Sequence, residues 1–359
     1  MEKFEINKKF KSFFYNKRIL ITGHTGFVGS WVTFYFLKLG CKITGISTYN
    51  SNQNNIFNIL KIKKKINHHS FDLLKKNQLK KISKKKFDIV LHLAAKPLVF
   101  ESFNKPDIYI KNNILSTLNL IKEIKKTKIF INFTTDKVYK NINKKNYRFK
   151  ETDELGGDDP YSFSKTCSDL LTKMWSIFNP KNKIKYCNIR SGNIIGGGDW
   201  NKKRIMSDII NLLYSNKKLY VRNRYSTRPW IHVIEVCICI SRLIHRLYKE
   251  KDTYTEWNIG PNNNDSKNIF WIVNQSLKIS KKEYLKKNVI YLKKKKFIEK
   301  NYLKLNNQKI KNRLKFNFKI KFYERLKLTI DWFNSFYYNQ SDLENLMIKQ
   351  INYINKKSK

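Results

Sequence analysis

Short apolar runs alternate with longer amphipathic stretches through the first half of the chain. Arg18-Ile19-Leu20-Ile21-Thr22 is brief, apolar and followed by glycine, which predicts a buried parallel strand. Residues 27–39 then read as a helix, and Gly40 supplies its stop. Further strands are predicted over 43–47, 87–93, 128–134 and 184–190, and helices over 108–125 and 161–178. Strands alternating with helices in this way predict an α/β fold with a doubly wound parallel sheet.

After about Asn193 the pattern changes. Gly196-Gly197-Gly198-Asp199-Trp200 reads as a tight loop. Shorter elements follow: a strand over 219–221, a helix over 233–248 and a strand over 255–259. The expectation is a smaller C-terminal lobe lying over the carboxyl edge of the sheet. Residues 1–192 would form mainly the first domain and 193–340 mainly the lobe, with some elements returning to the sheet. Residues 341–359, rich in Lys and Asn, are expected to fray. No internal repeat is visible.

Composition qualifies this picture. The chain has 359 residues, and 41% are hydrophobic, enough for a real core. Its 74 basic residues against 27 acidic ones give a net charge of +47. Such a balance alone suggests nucleic acid or an anionic membrane. The lysine runs 63–65, 84–86 and 293–296 are scattered, however, and Asn and Ile are abundant while Ala, Gly and Pro are scarce. That is the look of AT-rich coding sequence filling tolerant surface positions. The charge is therefore read as a solvated surface, with no nucleic-acid partner expected, although an anionic substrate would gain from the field.

The five cysteines show no C-x-x-C or zinc-ligand spacing, which fits a reducing compartment. The six histidines form no metal motif, and His68-His69 reads as a strand end. No metal is expected. The N-terminus lacks the apolar core of a signal peptide. The most apolar stretch, Val233 to Ile244, is interrupted by Glu235 and Arg242. A protein of the cytoplasm without a membrane span is the expectation.

Two constellations carry chemistry. Gly23-x-x-Gly26-x-x-Gly29 follows a predicted strand and opens a predicted helix. Glycines there let the backbone approach a pyrophosphate, which the free N–H groups of a helix N-terminus can bind. Tyr161 and Lys165, four residues apart, share a helix face. A nearby ammonium favours a phenolate, which can take a proton from a substrate hydroxyl as hydride leaves the carbon. Thr135, at the end of the intervening strand, adds a hydroxyl, and Asp136-Lys137 follows it directly. A simple epimerase or reductase needs no further acid and base there. An elimination of water beside a newly formed ketone needs both.

The chain resembles the extended short-chain dehydrogenase/reductases, and within them the CDP-glucose 4,6-dehydratase family. The stretches that carry the resemblance are Gly23-His24-Thr25-Gly26-Phe27, Leu93-Ala94-Ala95-Lys96-Pro97-Leu98-Val99, Thr135-Asp136-Lys137-Val138-Tyr139, Asp159-Pro160-Tyr161-Ser162, Gly192 to Trp200, Arg228-Pro229-Trp230-Ile231-His232-Val233 and Thr329-Ile330-Asp331-Trp332-Phe333. It covers residues 17–336. The resemblance implies a Rossmann-type domain with a smaller substrate-binding lobe and a tightly held NAD. It implies transient oxidation at C4 of CDP-glucose, loss of water across C5 and C6, and return of hydride to C6. The product would be CDP-4-keto-6-deoxyglucose, a precursor for cell-surface polysaccharide such as O-antigen.

It implies Thr135, Asp136, Lys137, Tyr161 and Lys165 as catalytic residues. Gly23, Thr25, Gly26, Phe27, Val28, Gly29, Asp72, Leu73, Leu93, Ala94, Ala95 and Asn113, with Tyr161 and Lys165, would hold the cofactor. Asn193, Arg204, Arg222, Arg228 and His232 would hold the nucleotide sugar. Asp72 has a second reading as a helix N-cap, and Arg204 and Arg222 as surface charge. NAD rather than NADP is expected because Ile46-Ser47-Thr48-Tyr49-Asn50 is not basic, although it also lacks the usual ribose-binding acid. Val28, Lys96, Phe100 and Tyr49 depart from the family pattern. A homodimer or homotetramer paired through the two long helices is the expected assembly. A 4-epimerase, another sugar-nucleotide dehydratase or a non-catalytic nucleotide binder are the alternatives.

Overall fold

A computed structural model of the protein describes residues 2–48, 54–179, 183–201, 203–262, 265–292, 300–339 and 342–358. Along the chain come β1 (Arg18–Thr22), β2 (Lys42–Ile46), β3 (Asn67–His69), β4 (Ile89–His92), β5 (Ile129–Thr135), β6 (Lys185–Ser191) and the short strands β7 (Asn193–Ile195), β8 (Leu219–Val221), β9 (Thr227–Arg228) and β10 (Trp230–His232). They are followed by β11 (Tyr254–Ile259), β12 (Lys267–Asn268) and β13 (Val289–Tyr291). Seven of them form one sheet in the order β11-β6-β5-β4-β1-β2-β3. Every pairing in it is parallel. Strand order reverses between β1 and β4, and a doubly wound sheet takes ligands in the crevice outside the carboxyl ends at such a point.

Side-chain alternation divides the core. Ile19, Ile21, Ile89, Leu91, Ile129 and Ile131 pack on one face with Trp31 and Val236 from helices Phe27–Lys38 and Val233–Leu247. Leu20, Val90 and Phe130 point to the other face, against Leu79, Leu120 and Ile121. Burial on both faces is why these strands read as unbroken apolar runs. The smaller lobe holds the two-stranded pairs β7/β10, β8/β13 and β9/β12 with helices Ile205–Ser215, Ile269–Ile279 and Phe322–Tyr338. Between these lobe elements the chain returns to the main sheet through helix Val233–Leu247 and β11.

Two elements differ from expectation. The single helix predicted over 108–125 is instead Pro106–Ile110 and Ser116–Glu123, joined through a π-helical turn at Lys111–Leu115. Asn113 sits in that wider turn with its side chain buried, and its Nδ2 donates to Ser164 Oγ at 2.8 Å. The tail expected to fray is instead helix Leu343–Lys357. Its Met347, Ile348, Ile351 and Ile354 are buried, an apolar stripe at helical spacing that the surrounding Asn and Lys disguised. Gln350 Nε2 donates to Leu328 O at 2.8 Å, and Asn352 Oδ1 accepts Glu5 N at 2.9 Å.

A fully buried ion pair holds the lobe to the sheet. Arg325 grips Glu235 through two hydrogen bonds, Nε to Oε2 at 2.6 Å and Nη2 to Oε1 at 3.0 Å, and also meets Asp265. Glu235 in turn accepts His232 N at 3.0 Å and so closes the first turn of its helix. Glu235→Ala leaves a guanidinium buried beside a single remaining carboxylate. The expected loss is about 3–5 kcal/mol in urea unfolding.

Histidine burial makes the fold acid-sensitive. Burial pushes the pKa values of His24, His92 and His232 down to about 3 from the usual 6.5. Below pH 6.5 the unfolded chain takes up protons that the folded one refuses, so stability rises with pH between about 3 and 6.5. The stabilisation is complete above pH 6.5 and is lost as pH falls toward 3. The melting temperature is expected to decline from pH 6.5 downward, before most carboxylates titrate. His92→Asn should flatten that decline in thermal melts taken across the window.

Candidate active site

Loops after the carboxyl ends of β1, β4, β5 and β6 line a cleft of about 1000 Å³, closed on its other side by the lobe. Gly23, Thr25, Gly26, Phe27, Val28, Gly29, Asp72, Leu73, Leu93, Ala94 and Ala95 all line it. The glycines are required by contact. Gly23 has φ +72°, and a Cβ on it would lie 2.7 Å from Ala94 N. A Cβ on Gly29 would lie 2.0 Å from Gly23 O. Gly26 opens helix Phe27–Lys38 with no side-chain cap. Its first-turn N–H groups are therefore left for an anion. Thr25 Oγ1 and Ser47 Oγ are 2.7 Å apart, tying this loop to the end of β2. Tyr49 and Asn50 lie outside the described residues.

Asp72 is not a helix N-cap. The helix that follows starts at Lys76, and Asp72 Oδ1 accepts Leu74 N at 2.9 Å. Asn113 does not line the cleft, so the expectation that it touches the cofactor is replaced by an indirect role. Its Oδ1 accepts Lys96 N at 2.8 Å and its Nδ2 donates to Lys96 O at 3.2 Å, fixing the loop after β4.

Thr135, Asp136, Lys137, Tyr161 and Lys165 converge in the cleft. β5 ends at Thr135, and one 3-10 turn, Asp136–Val138, carries the acid–lysine pair. Helix Pro160–Phe178 supplies the other two, opened by Asp159, whose Oδ1 accepts Ser162 N at 2.9 Å. Thr135 Oγ1 donates to Asp136 Oδ1 at 3.1 Å, and Lys137 Nζ lies 3.8 Å from the same oxygen. Asp136 Oδ2 is buried with no hydrogen-bond partner among the described residues. A buried carboxylate oxygen left open is costly, and a substrate hydroxyl would satisfy it.

The electrostatics around Tyr161 differ from expectation. Burial pushes the phenol up to about 12, while a hydrogen bond with Thr135 and the charge of Arg204 oppose that rise. The expected influence of Lys165 is taken by these two groups. Lys165 is buried, its Nζ donates to Phe133 O at 2.9 Å, and burial brings its own pKa down to about 8.

From the lobe, Asn193, Arg204, Arg222 and Arg228 line the cleft. Arg204 Nη1 donates to Asp199 Oδ2 at 3.1 Å, which gives the Gly-Gly-Gly-Asp-Trp loop its purpose. Gly197 lies flat under Trp332, since a Cβ there would be 2.0 Å from the ring, and Trp31 Nε1 donates to Gly197 O at 2.9 Å. Arg228 is buried and its guanidinium donates to Thr227 O and Lys300 O, both at 2.9 Å. His232 is corrected. It is fully buried beneath the cleft, caps helix Val233–Leu247 through Nδ1 and packs edge-on to Trp31. It is not among the cleft-lining residues. Lys203, which also lines the cleft, was missed because nothing local distinguishes it from the chain's other lysines.

Among the described residues no cluster of His, Cys, Asp and Glu could hold a metal ion, and no helix is long and apolar enough to cross a membrane.

Comparisons with known proteins agree with this fold. A family model described as GDP-mannose 4,6 dehydratase matches residues 20–329. A CDP-glucose 4,6-dehydratase of Salmonella typhimurium is 35% identical over 276 residues, covering 74% of this chain and 77% of that protein. A dTDP-D-glucose 4,6-dehydratase of Dictyostelium discoideum is 32% identical over 237 residues, or 61% of this chain and 54% of that one. Among solved structures, dTDP-glucose 4,6-dehydratase from Bacillus anthracis in complex with NAD matches with a TM-score of 0.74 and 22% identity, covering 91% and 98% of the two chains. The Streptomyces venezuelae enzyme of the same name, with NAD and TYD bound, matches at 0.77 with 18% identity over 89% and 97%. Both structures share the fold. With the family model matched over most of its length, the chain belongs to the GDP-mannose 4,6-dehydratase family of sugar-nucleotide dehydratases.

Proposed function

We propose that the protein is an NAD-dependent CDP-glucose 4,6-dehydratase, a hydro-lyase. The observation that carries the reading is the Asp136–Lys137 pair, held in the same cleft as Tyr161 and Lys165. The glycine cradle fits a dinucleotide, because Gly23 and Gly29 keep the turn tight and the uncapped first turn of helix Phe27–Lys38 offers its N–H groups to a pyrophosphate. Gly23, Gly26 and Gly29 would hold the pyrophosphate, Asp72 and Leu73 the adenine side, and Lys165 the nicotinamide ribose. Ser47 and Thr48, beyond β2, carry no positive charge for a 2′-phosphate. When bound, NAD supplies a reversible hydride acceptor for C4 of the sugar.

The chain's own groups move the protons. Tyr161 takes the C4 hydroxyl proton, with Thr135 and Arg204 easing its ionisation. The resulting ketone makes the C5 proton acidic. With the proton shared by the Lys137–Asp136 pair resting on Asp136, the neutral Lys137 amine removes the C5 proton while Asp136, through Oδ2, protonates the departing C6 hydroxyl, which leaves as water. The two side chains adjoin, so acid and base act on neighbouring carbons without exchanging places. Arg204, Arg222 and Arg228 meet the diphosphate, for which a planar guanidinium is suited.

The purified protein, assayed with CDP-, dTDP-, UDP- and GDP-hexoses, is expected to release a 4-keto-6-deoxy product from CDP-glucose in preference to the others. An epimerised sugar with no loss of water would overturn the dehydratase reading.

The assembly proposed is a dimer. Phe163, Leu170, Met174 and Ile177 form an exposed apolar stripe on helix Pro160–Phe178, beside the exposed Ile108 of helix Pro106–Ile110 and Leu115 of the π-helical turn. A second copy of the same face is the occupant that self-complementary apolar helices fit.

A further inference from the structure

Phe100 reaches from the short helix Val99–Asn104 that follows β4 toward the lobe, and two cations of the lobe converge on its ring. Arg222 Cζ lies 5.3 Å from the ring centroid, and Lys203 Nζ also lies 5.3 Å from it. The two charges are thus no further apart than twice that distance. Among the described residues neither is in an ion pair, and both line the cleft, unlike Arg204, which Asp199 engages. Lys203 is held with φ +67°, a left-handed conformation that costs a residue with a side chain. Asp208, which also lines the cleft, feels the charge of Arg222 and accepts the Lys203 backbone N–H, but it forms no ion pair with either cation among the described residues, so part of the repulsion between the two like charges remains and an anion between them removes it.

We propose that Lys203 and Arg222 form a two-cation clamp for the diphosphate of the substrate, with Phe100 as the positioning residue that holds both across the mouth of the cleft. The ring's negative face attracts both cations but cannot neutralise them, so their charge stays available to phosphate. Phe100 belongs to the sheet domain and the cations to the lobe, so the contact also joins the two walls. The proposal rests on the nucleotide-sugar reading above for the identity of the anion.

Isothermal titration of the full chain with CDP, cytidine and inorganic pyrophosphate tests it, using Phe100→Leu, Phe100→Tyr and Lys203→Met. Phe100→Leu and Lys203→Met are expected to weaken CDP and pyrophosphate by roughly 2- to 30-fold. Cytidine binding should stay as in the parent, and Phe100→Tyr should restore CDP binding. In turnover of CDP-glucose the Phe100→Leu loss should appear in KM more than in kcat. Parental CDP affinity in Phe100→Leu or Lys203→Met, or an equal loss of cytidine, would overturn the clamp. The function reading fails separately. If the parent does not turn over CDP-glucose yet binds pyrophosphate and the variants lose it, the clamp stands and the CDP-glucose assignment falls.

Discussion

Tyr161→Phe is expected to lower kcat by about a hundred- to ten-thousand-fold, the usual contribution of a positioned acid–base group. The substitution removes one oxygen from a buried ring that packs edge-on to Tyr109, so the helix and the cleft should survive. Steady-state assay of CDP-glucose consumption, with a thermal melt as control for folding, reads the effect. Full activity in the variant would remove Tyr161 from the reaction. Because burial holds the phenol near 12, the reactive phenolate gains population as pH rises, and the rate is expected to climb with pH from neutrality. Removing Arg204, whose charge opposes the burial effect, should displace that climb to higher pH.

Lys137→Ala is expected to separate oxidation from elimination. Tyr161 and Lys165 remain, so C4 can still be oxidised, but the C5 proton loses its base. Formation of 4-keto-6-deoxy product should fall by about a hundredfold or more, and recovered substrate should show no solvent deuterium at C5 after incubation in heavy water. A reduced nicotinamide band that builds without product would accompany this. Product formation at the parental rate would reduce Lys137 to a surface lysine. The distinction matters because this chain is crowded with lysines, and only the position of Lys137, beside a buried carboxylate with one open oxygen, sets it apart.

What was legible in the sequence was what short stretches determine. β1, Gly23-x-x-Gly26-x-x-Gly29 and the helix after them follow from apolar runs and glycine spacing. Tyr161 and Lys165 follow from one helical turn. The parallel, doubly wound sheet followed from βα alternation, since parallel strands need crossovers, whereas the order of its seven strands did not. What escaped depends on residues distant in the chain. The π-helical turn at Asn113 exists because that side chain bonds the Lys96 backbone and Ser164. Arg204 acts on Tyr161 only because Asp199 aims it there from the other domain. His232 looked like a binding residue in a motif, yet its ring is a helix cap sealed under the cleft. The C-terminal helix was hidden by composition, because four buried apolar side chains were diluted among Lys and Asn.

The central claim is that one cleft oxidises C4, removes water and reduces C6 of the same sugar. CDP-glucose carrying deuterium at C4 tests it most directly, with the product examined by mass spectrometry and NMR. The account predicts a 4-keto-6-deoxy product with the label transferred from C4 to C6. A product with label retained at C4, or an epimer that has kept its C6 oxygen, would contradict it.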